Sequence, residues 1–228
     1  MPKITSYPGT VSSVATGAGT GPWVNFNNVK VDDANYSTCV LGGPSTSKYL
    51  KCSNFDFSLL PAGLSLKGVY AQIKGYWAGT ALNLADSQVK LVLADGSIGT
   101  ANKASTVKWP LTEGVRGYGN LFDLWETPPI TMTAIKDADF GIVVSLNANL
   151  IGSSNTAYIN YVRLTGYAQA EPESIWRRER IRPYLYLYTD REEDDMYKYI
   201  GKVNGSFNHT AGTVPCGKAE KVNFHVVL

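Results

Sequence analysis

Residues 66–77 read Leu66-Lys67-Gly68-Val69-Tyr70-Ala71-Gln72-Ile73-Lys74-Gly75-Tyr76-Trp77. One parity carries Leu66, Gly68, Tyr70, Gln72, Lys74 and Tyr76; the other carries Lys67, Val69, Ala71, Ile73, Gly75 and Trp77. Val69, Ala71, Ile73 and Trp77 sit mainly on one face at a period of two, the mark of a half-buried strand. Other stretches read alike. Residues 88–93 place Val89, Leu91 and Leu93 on one face, and Phe140, Ile142, Val143, Val144 and Leu146 form a continuous apolar run suited to a buried sandwich strand. Residues 157–167 alternate in part, with Ile159, Tyr161 and Arg163 set opposite Tyr158, Val162 and Leu164.

Turn residues separate these runs: Pro61-Ala62-Gly63, Asp95-Gly96, Gly117-Tyr118-Gly119-Asn120 and Gly152-Ser153-Ser154-Asn155. No amphipathic helix of convincing length lies between them, and a parallel sheet would need crossover helices. The expected fold is all-β, an antiparallel β-sandwich or jelly roll over residues 23–168.

Composition narrows the function. The chain has 228 residues, 44% hydrophobic and 18% charged, enough to bury a core. Twenty-one Lys and Arg against 19 Asp and Glu give a net charge of +2, which argues against a dedicated nucleic-acid binder. No apolar run of about 18 residues predicts a transmembrane helix. The N-terminus lacks the basic-then-apolar pattern of a secretory signal, so synthesis in a cytoplasm is expected.

The two ends differ from the middle. Residues 1–22 are rich in Gly, Ser, Thr and Pro and read as an extended arm, either frayed or ordered on a neighbouring subunit. Residues 171–200 hold 14 of the 40 charged residues. Within them Tyr184–Tyr188 reads as a strand and Met196–Val203 as its antiparallel partner, joined through Arg191–Asp195; Lys221–Leu228 is another possible strand. Residues 171–228 are therefore expected to form a charged, β-rich C-terminal extension, marginal alone.

Chemistry-bearing motifs are sparse. Cys39, Cys52 and Cys216 read as unpaired thiols, or as a Cys39–Cys52 disulfide with Cys216 left over. His209 and His225 are too few for a zinc site, and Asp32-Asp33 and Asp194-Asp195 lack the spacing of a calcium loop. No metal, cofactor or catalytic residue is expected. Glu113, Asp123 and Glu126 flank Trp125 and would be the carboxylates of a glycan hydrolase. Nucleotide-binding and hydrolase-elbow motifs are absent. Aromatics are the surplus: Trp23, Trp77, Trp109, Trp125, Trp176 and 14 Tyr suit a core or subunit interface, or a sugar-stacking surface.

Three stretches taken together resemble β-sandwich domains of structural proteins from tailed bacteriophages. They are Tyr7-Pro8-Gly9-Thr10 leading to Trp23, Asn25, Asn27 and Asn28; residues 54–69, with Phe55-Asp56-Phe57, Pro61-Ala62-Gly63 and Gly68; and Tyr118-Gly119-Asn120, Asp123-Leu124-Trp125 and Phe140-Gly141. The resemblance spans residues 7–168. It implies a non-enzymatic virion component, of the capsid-decoration, head-fibre, neck, collar or tail kind, in which Trp125 plugs one end of the sandwich. Such a protein would work by self-assembly, with copies of itself and other virion proteins as partners and a homo-oligomer as its state. The expected interface comprises Tyr7 and Pro8 of the arm, Trp176, Arg177, Arg178, Arg180 and Arg182, and Tyr184, Tyr186, Tyr188, Tyr197 and Tyr199. The alternative is a carbohydrate-binding module that attaches a particle to a host glycan, which requires Trp or Tyr to line one sheet face. A glycan depolymerase using Glu113 or Asp123 is the third class.

Overall fold

The computed structural model describes residues 1–170, apart from 16, 18, 80–83 and 150–153, together with 186–187 and 198–199. The chain divides into two compact units, Met1–Glu171 and Pro172–Leu228. In chain order the strands of the first are β1 (Lys3–Ser6), β2 (Pro8–Val14), β3 (Ser37–Gly42), β4 (Ser45–Thr46), β5 (Tyr49–Phe55), β6 (Ser65–Gly79), β7 (Leu84–Val92), β8 (Gly114–Gly119), β9 (Gly141–Ala148) and β10 (Ser154–Gln169). A 3-10 turn at Phe26–Lys30 and the four-residue helix α1 (Met132–Ile135) are the helical elements among the described residues.

The strands form two five-stranded sheets, with every strand pairing antiparallel. In the first sheet β6 lies between β10 and β8, while β1 and β3 pair with opposite ends of β10. In the second, β9 lies between β5 and β7, β2 flanks β5, and β4 pairs with the end of β9. Val69, Ala71, Ile73 and Trp77 of β6, with Ile159, Val162 and Leu164 of β10, pack into one core cluster with Leu50, Val89, Leu91, Ile142 and Val144 of the second sheet. The expected antiparallel β-sandwich is the observed fold.

Three expectations are corrected. Residues 3–14 are not an extended arm but two strands, one in each sheet. Thr5 pairs with Thr165, their hydroxyls 2.8 Å apart, and β2 runs beside β5 from Pro8↔Phe55 to Val14↔Tyr49. Backbone pairing replaces the apolar area the segment lacks. Small residues are needed further on: a Cβ on Gly19 would lie 1.9 Å from the Thr46 carbonyl oxygen. Of the two readings of Cys39 and Cys52, the unpaired thiols hold. Both thiols are free and buried, Cys39 in the first sheet and Cys52 in the second, and burial pushes Cys39 up to about 12. Gly117-Tyr118-Gly119 is part of β8 rather than a turn. Finally, Ile159 does not share a face with Tyr161 and Arg163, because a bulge between Ile159 and Tyr161 shifts the parity of β10.

Trp125 is a core residue at 7% exposure, its Nε1 donating to the Val69 carbonyl at 2.8 Å. In the second unit β11 (Tyr186–Leu187) pairs antiparallel with β12 (Lys198–Tyr199). Cys216, His209, His225 and Asp194-Asp195 lie outside the described residues.

Candidate functional site

On β6 the buried parity belongs to the core, so Tyr70, Gln72, Lys74 and Tyr76 project from the other face of the first sheet, none of them buried. Successive same-face positions are about 7 Å apart along a strand. Opposite them on β10 stand Tyr158 against Tyr76, Tyr161 against Lys74, Arg163 against Gln72 and Thr165 against Tyr70. The β10 bulge makes this match. Were β10 regular, Asn160 would oppose Lys74, and Tyr161 and Arg163 would point into the core.

One end of the face is an aromatic platform. Tyr76 and Tyr158 stack at 4.6 Å with an interplanar angle of 4°, and Tyr36 meets both edge-on, at 5.3 and 6.0 Å. Each such ring pair contributes roughly 0.5–1.5 kcal/mol beyond area burial, so the rings are positioned before any ligand arrives. Towards the other end Tyr70 lies flat across β8. A Cβ on Gly117 would come within 2.1 Å of its hydroxyl and 2.7 Å of its ring, so only glycine admits that pose.

Between the platforms sits a polar centre. Asn160, at the bulge and 1% exposed, donates through Nδ2 to Asp32 at 3.1 Å and to Glu113 at 2.8 Å, while its Oδ1 accepts from the Asp33 backbone N–H at 3.4 Å. Lys74 Nζ binds the same two carboxylates, at 2.8 Å to Asp32 and 3.0 Å to Glu113. The Tyr36 hydroxyl donates to Glu113. Burial pushes the Glu113 carboxyl up, but hydrogen bonds from Asn160, Lys74 and Tyr36 outweigh it and hold the group below the usual carboxylate range. The bonds to Asp32 and Glu113 in turn raise the Lys74 amine. Beyond this centre the Arg163 guanidinium covers the buried Tyr161 ring at 4.9 Å and its Nε donates to Gln72 at 2.8 Å.

Two connections deliver the carboxylates. Asp32 follows the 3-10 turn anchored by the fully buried Val29. Glu113 ends a segment fixed by Trp109, whose N–H donates to the Leu84 carbonyl at 2.8 Å and whose Nε1 donates to the buried Asp86 at 2.7 Å. Asp86 also accepts from the Tyr118 hydroxyl at 3.0 Å and the Ser105 N–H at 3.0 Å. The site is thus held by strands and a buried polar network rather than by loose loops.

The residues singled out from sequence are distributed as follows. Trp23, Trp77, Trp109 and Trp125 are all core residues, so the aromatics on this face are tyrosines. Tyr7 meets the Tyr161 ring edge-on at 5.8 Å, and Pro8 is buried in the sandwich. The carboxylates of the hydrolase reading have separate partners. Asp123 pairs with Lys103 at 2.8 Å, and Glu126 accepts from the Thr100 and Ala101 backbone N–H groups. Asp32 and Asp33 have different partners: Asp32 accepts from Lys74 and Asn160, and Asp33 from its own turn at Asn35. Among the described residues no cluster of His, Cys, Asp and Glu is arranged to hold a metal. Trp176, Arg177, Arg178, Arg180, Arg182, Tyr184, Tyr188 and Tyr197 lie outside the described residues; Tyr186 and Tyr199 face each other in the β11–β12 register. Lys74 was readable only as part of the strand pattern of residues 66–77. Asn160 gave no signal, since nothing in residues 157–167 announces the bulge.

No family model matches the chain, and no curated protein matches it. Among solved structures, the N-terminal cellulose-binding domain of β-1,4-glucanase C from Cellulomonas fimi matches at a TM-score of 0.30 and 8% identity, over 75% of this chain and 90% of that one. A likeness that distant carries no conclusion about what this chain binds.

Proposed function

We propose that this protein is a non-catalytic carbohydrate-binding module whose binding surface is the outer face of the first sheet. The observation that carries the reading is the row Tyr76, Lys74, Gln72, Tyr70 on β6, with the Tyr36–Tyr76–Tyr158 platform at one end and the flat Tyr70 ring towards the other. Aromatic faces stack on the apolar faces of sugars, and the polar groups between them match sugar hydroxyls. A protein ligand of comparable affinity would instead ask for a more apolar centre depleted in charge.

The chemistry of the centre favours binding over turnover. Glycoside hydrolysis needs one carboxyl that carries a proton near neutral pH, so its partner pair must be pushed apart in pKa. Glu113 is shifted the other way, and Lys74 lies between it and Asp32. Such an arrangement supplies two ionised acceptors and no proton donor of the required strength.

The test is a glycan array probed with the full chain, followed by calorimetry on the hits. Specific hits that Tyr76→Ala removes in protein that remains folded are expected. No hit on any glycan class would overturn the reading. The sequence resemblance would place such a module on a virion, attaching the particle to a host glycan. Mass spectrometry of purified particles decides that placement: presence supports it, and absence removes it without touching the binding.

A further inference from the structure

Resting on the glycan-binding reading, the geometry points to a narrower ligand class: we infer that the face takes an internal stretch of a linear, uncharged polysaccharide, rather than a single terminal sugar or an acidic chain.

The argument begins with length. Tyr70 and Tyr76 are six residues apart on one continuous strand, which at about 3.3 Å per residue separates the two platforms by roughly 20 Å. A monosaccharide can touch one platform but not both. A chain of several sugars laid along β6 touches both. Between the platforms the strand offers Lys74 and Gln72, with Asp32 and Glu113 beside them, held from below by the buried Asn160. Hydrogen-bonding groups therefore stand where the middle sugars of such a chain would lie. On β8, Gly117 and Gly119 face Gln72 and Tyr70 and raise no side chain there, while Val115 stands beside Lys74.

Charge selects next. At the centre two carboxylates, Asp32 and Glu113, face one ammonium, Lys74, which both already bind. An ionised or sulfated sugar over this point would meet an uncompensated negative charge. The Arg163 guanidinium lies one same-face step away beside Gln72, where its contacts are a neutral amide and the Tyr161 ring, so its charge is retained and the negative excess is local to the Lys74 position. Hydroxyl groups, by contrast, can donate to the free lone pairs of both carboxylates, as charge-assisted bonds.

The experiment is isothermal titration of the full chain with a linear neutral ladder, cello-oligosaccharides and manno-oligosaccharides from monosaccharide to hexasaccharide. Xylan and mannan are compared in parallel with alginate and hyaluronan. The expected result is affinity rising at least tenfold from disaccharide to hexasaccharide for one neutral series, with neutral polymers preferred to acidic ones. Tyr70→Ala should cut the gain from the longer members while leaving the short-ligand affinity nearly unchanged, and Tyr70→Phe should restore it. A monosaccharide that binds as well as the hexasaccharide, or an acidic polymer that binds as well as the neutral ones, overturns the inference and leaves the glycan-binding reading standing. Binding to none of these polymers, with none on a broader array, overturns both.

Discussion

The two outward faces of the sandwich are built from the same strand alternation and end in opposite states. On the second sheet, Tyr49 of β5, Val143 of β9 and Val92 of β7 point away from the main core, yet they are buried, joined by Val14 and Ile98 in a second small cluster. Loops cover it. Ile98 bridges back to Val92, the Lys51 amine reaches the Gly96 carbonyl at 3.3 Å, and the Tyr49 hydroxyl donates to the Gly17 carbonyl at 3.1 Å and also meets Gln88. On the first sheet the equivalent positions carry Tyr76, Lys74, Gln72 and Tyr70, which are only partly buried. A sheet face lined with valine needs a lid. A face lined with tyrosine and paired charges can stand in water, because each ring carries a hydroxyl and each charge a partner. The covered face serves stability and the open one is free for recognition.

Substitutions can separate those two roles. The largest effect is expected from Tyr49→Ala, which removes the centre of the covered cluster. Chemical denaturation should show a loss of about 3 kcal/mol, in the range for large-to-small changes at buried aromatics, with glycan affinity unchanged while the protein is folded. Tyr76→Ala should cost binding about 2 kcal/mol, roughly 30-fold, as an anchor residue does, in protein that stays folded and loses less stability than Tyr49→Ala. If Tyr49→Ala abolished binding in folded protein, or Tyr76→Ala unfolded it, the division between the faces would not hold.

A smaller effect is expected from Asn160→Ala. It leaves Asp32 and Glu113 joined by Lys74 alone and frees the Asp33 N–H. The cost to stability should be about 1 kcal/mol, in the usual range for lost hydrogen bonds, and binding should weaken several-fold. Calorimetry on the same preparation reads both.

The smallest effect is that of pH. Glu113 is held low, so its contribution is present above the ordinary carboxyl range and is lost only as pH falls through the lowered folded value. Lys74 is raised, so its contribution is present below the ordinary amine range and is lost only as pH rises through the raised folded value. Glycan affinity should therefore be flat from mildly acidic to mildly alkaline solution. A bell centred near neutrality would instead point to a titrating acid and revive the hydrolase reading.

Much of the scaffold was legible in the chain itself. The two parities of residues 66–77 named both the core row and the exposed row, since a strand in a two-layer fold must bury one face and not the other. The run at 140–146 announced a strand buried on both sides, and the lid over Val143 explains why. The N-terminal strands were not legible, because their stability comes from pairing with β5 and β10 rather than from their own side chains. The polar centre was only half legible. Asp32 and Glu113 stood out as acids, but for a cation and for hydrolysis.

What the sequence by itself determined is the all-β sandwich and the tyrosine–charge row on its central strand, both consequences of local periodicity. Tertiary structure alone decided that Asp32, Lys74, Glu113 and Asn160 meet. These residues come from four separated segments, and one bulge in β10 sets which way the last of them points. A bulge adds a residue without changing composition, so its cause lies in how β10 pairs with its neighbours and leaves no mark in the local pattern.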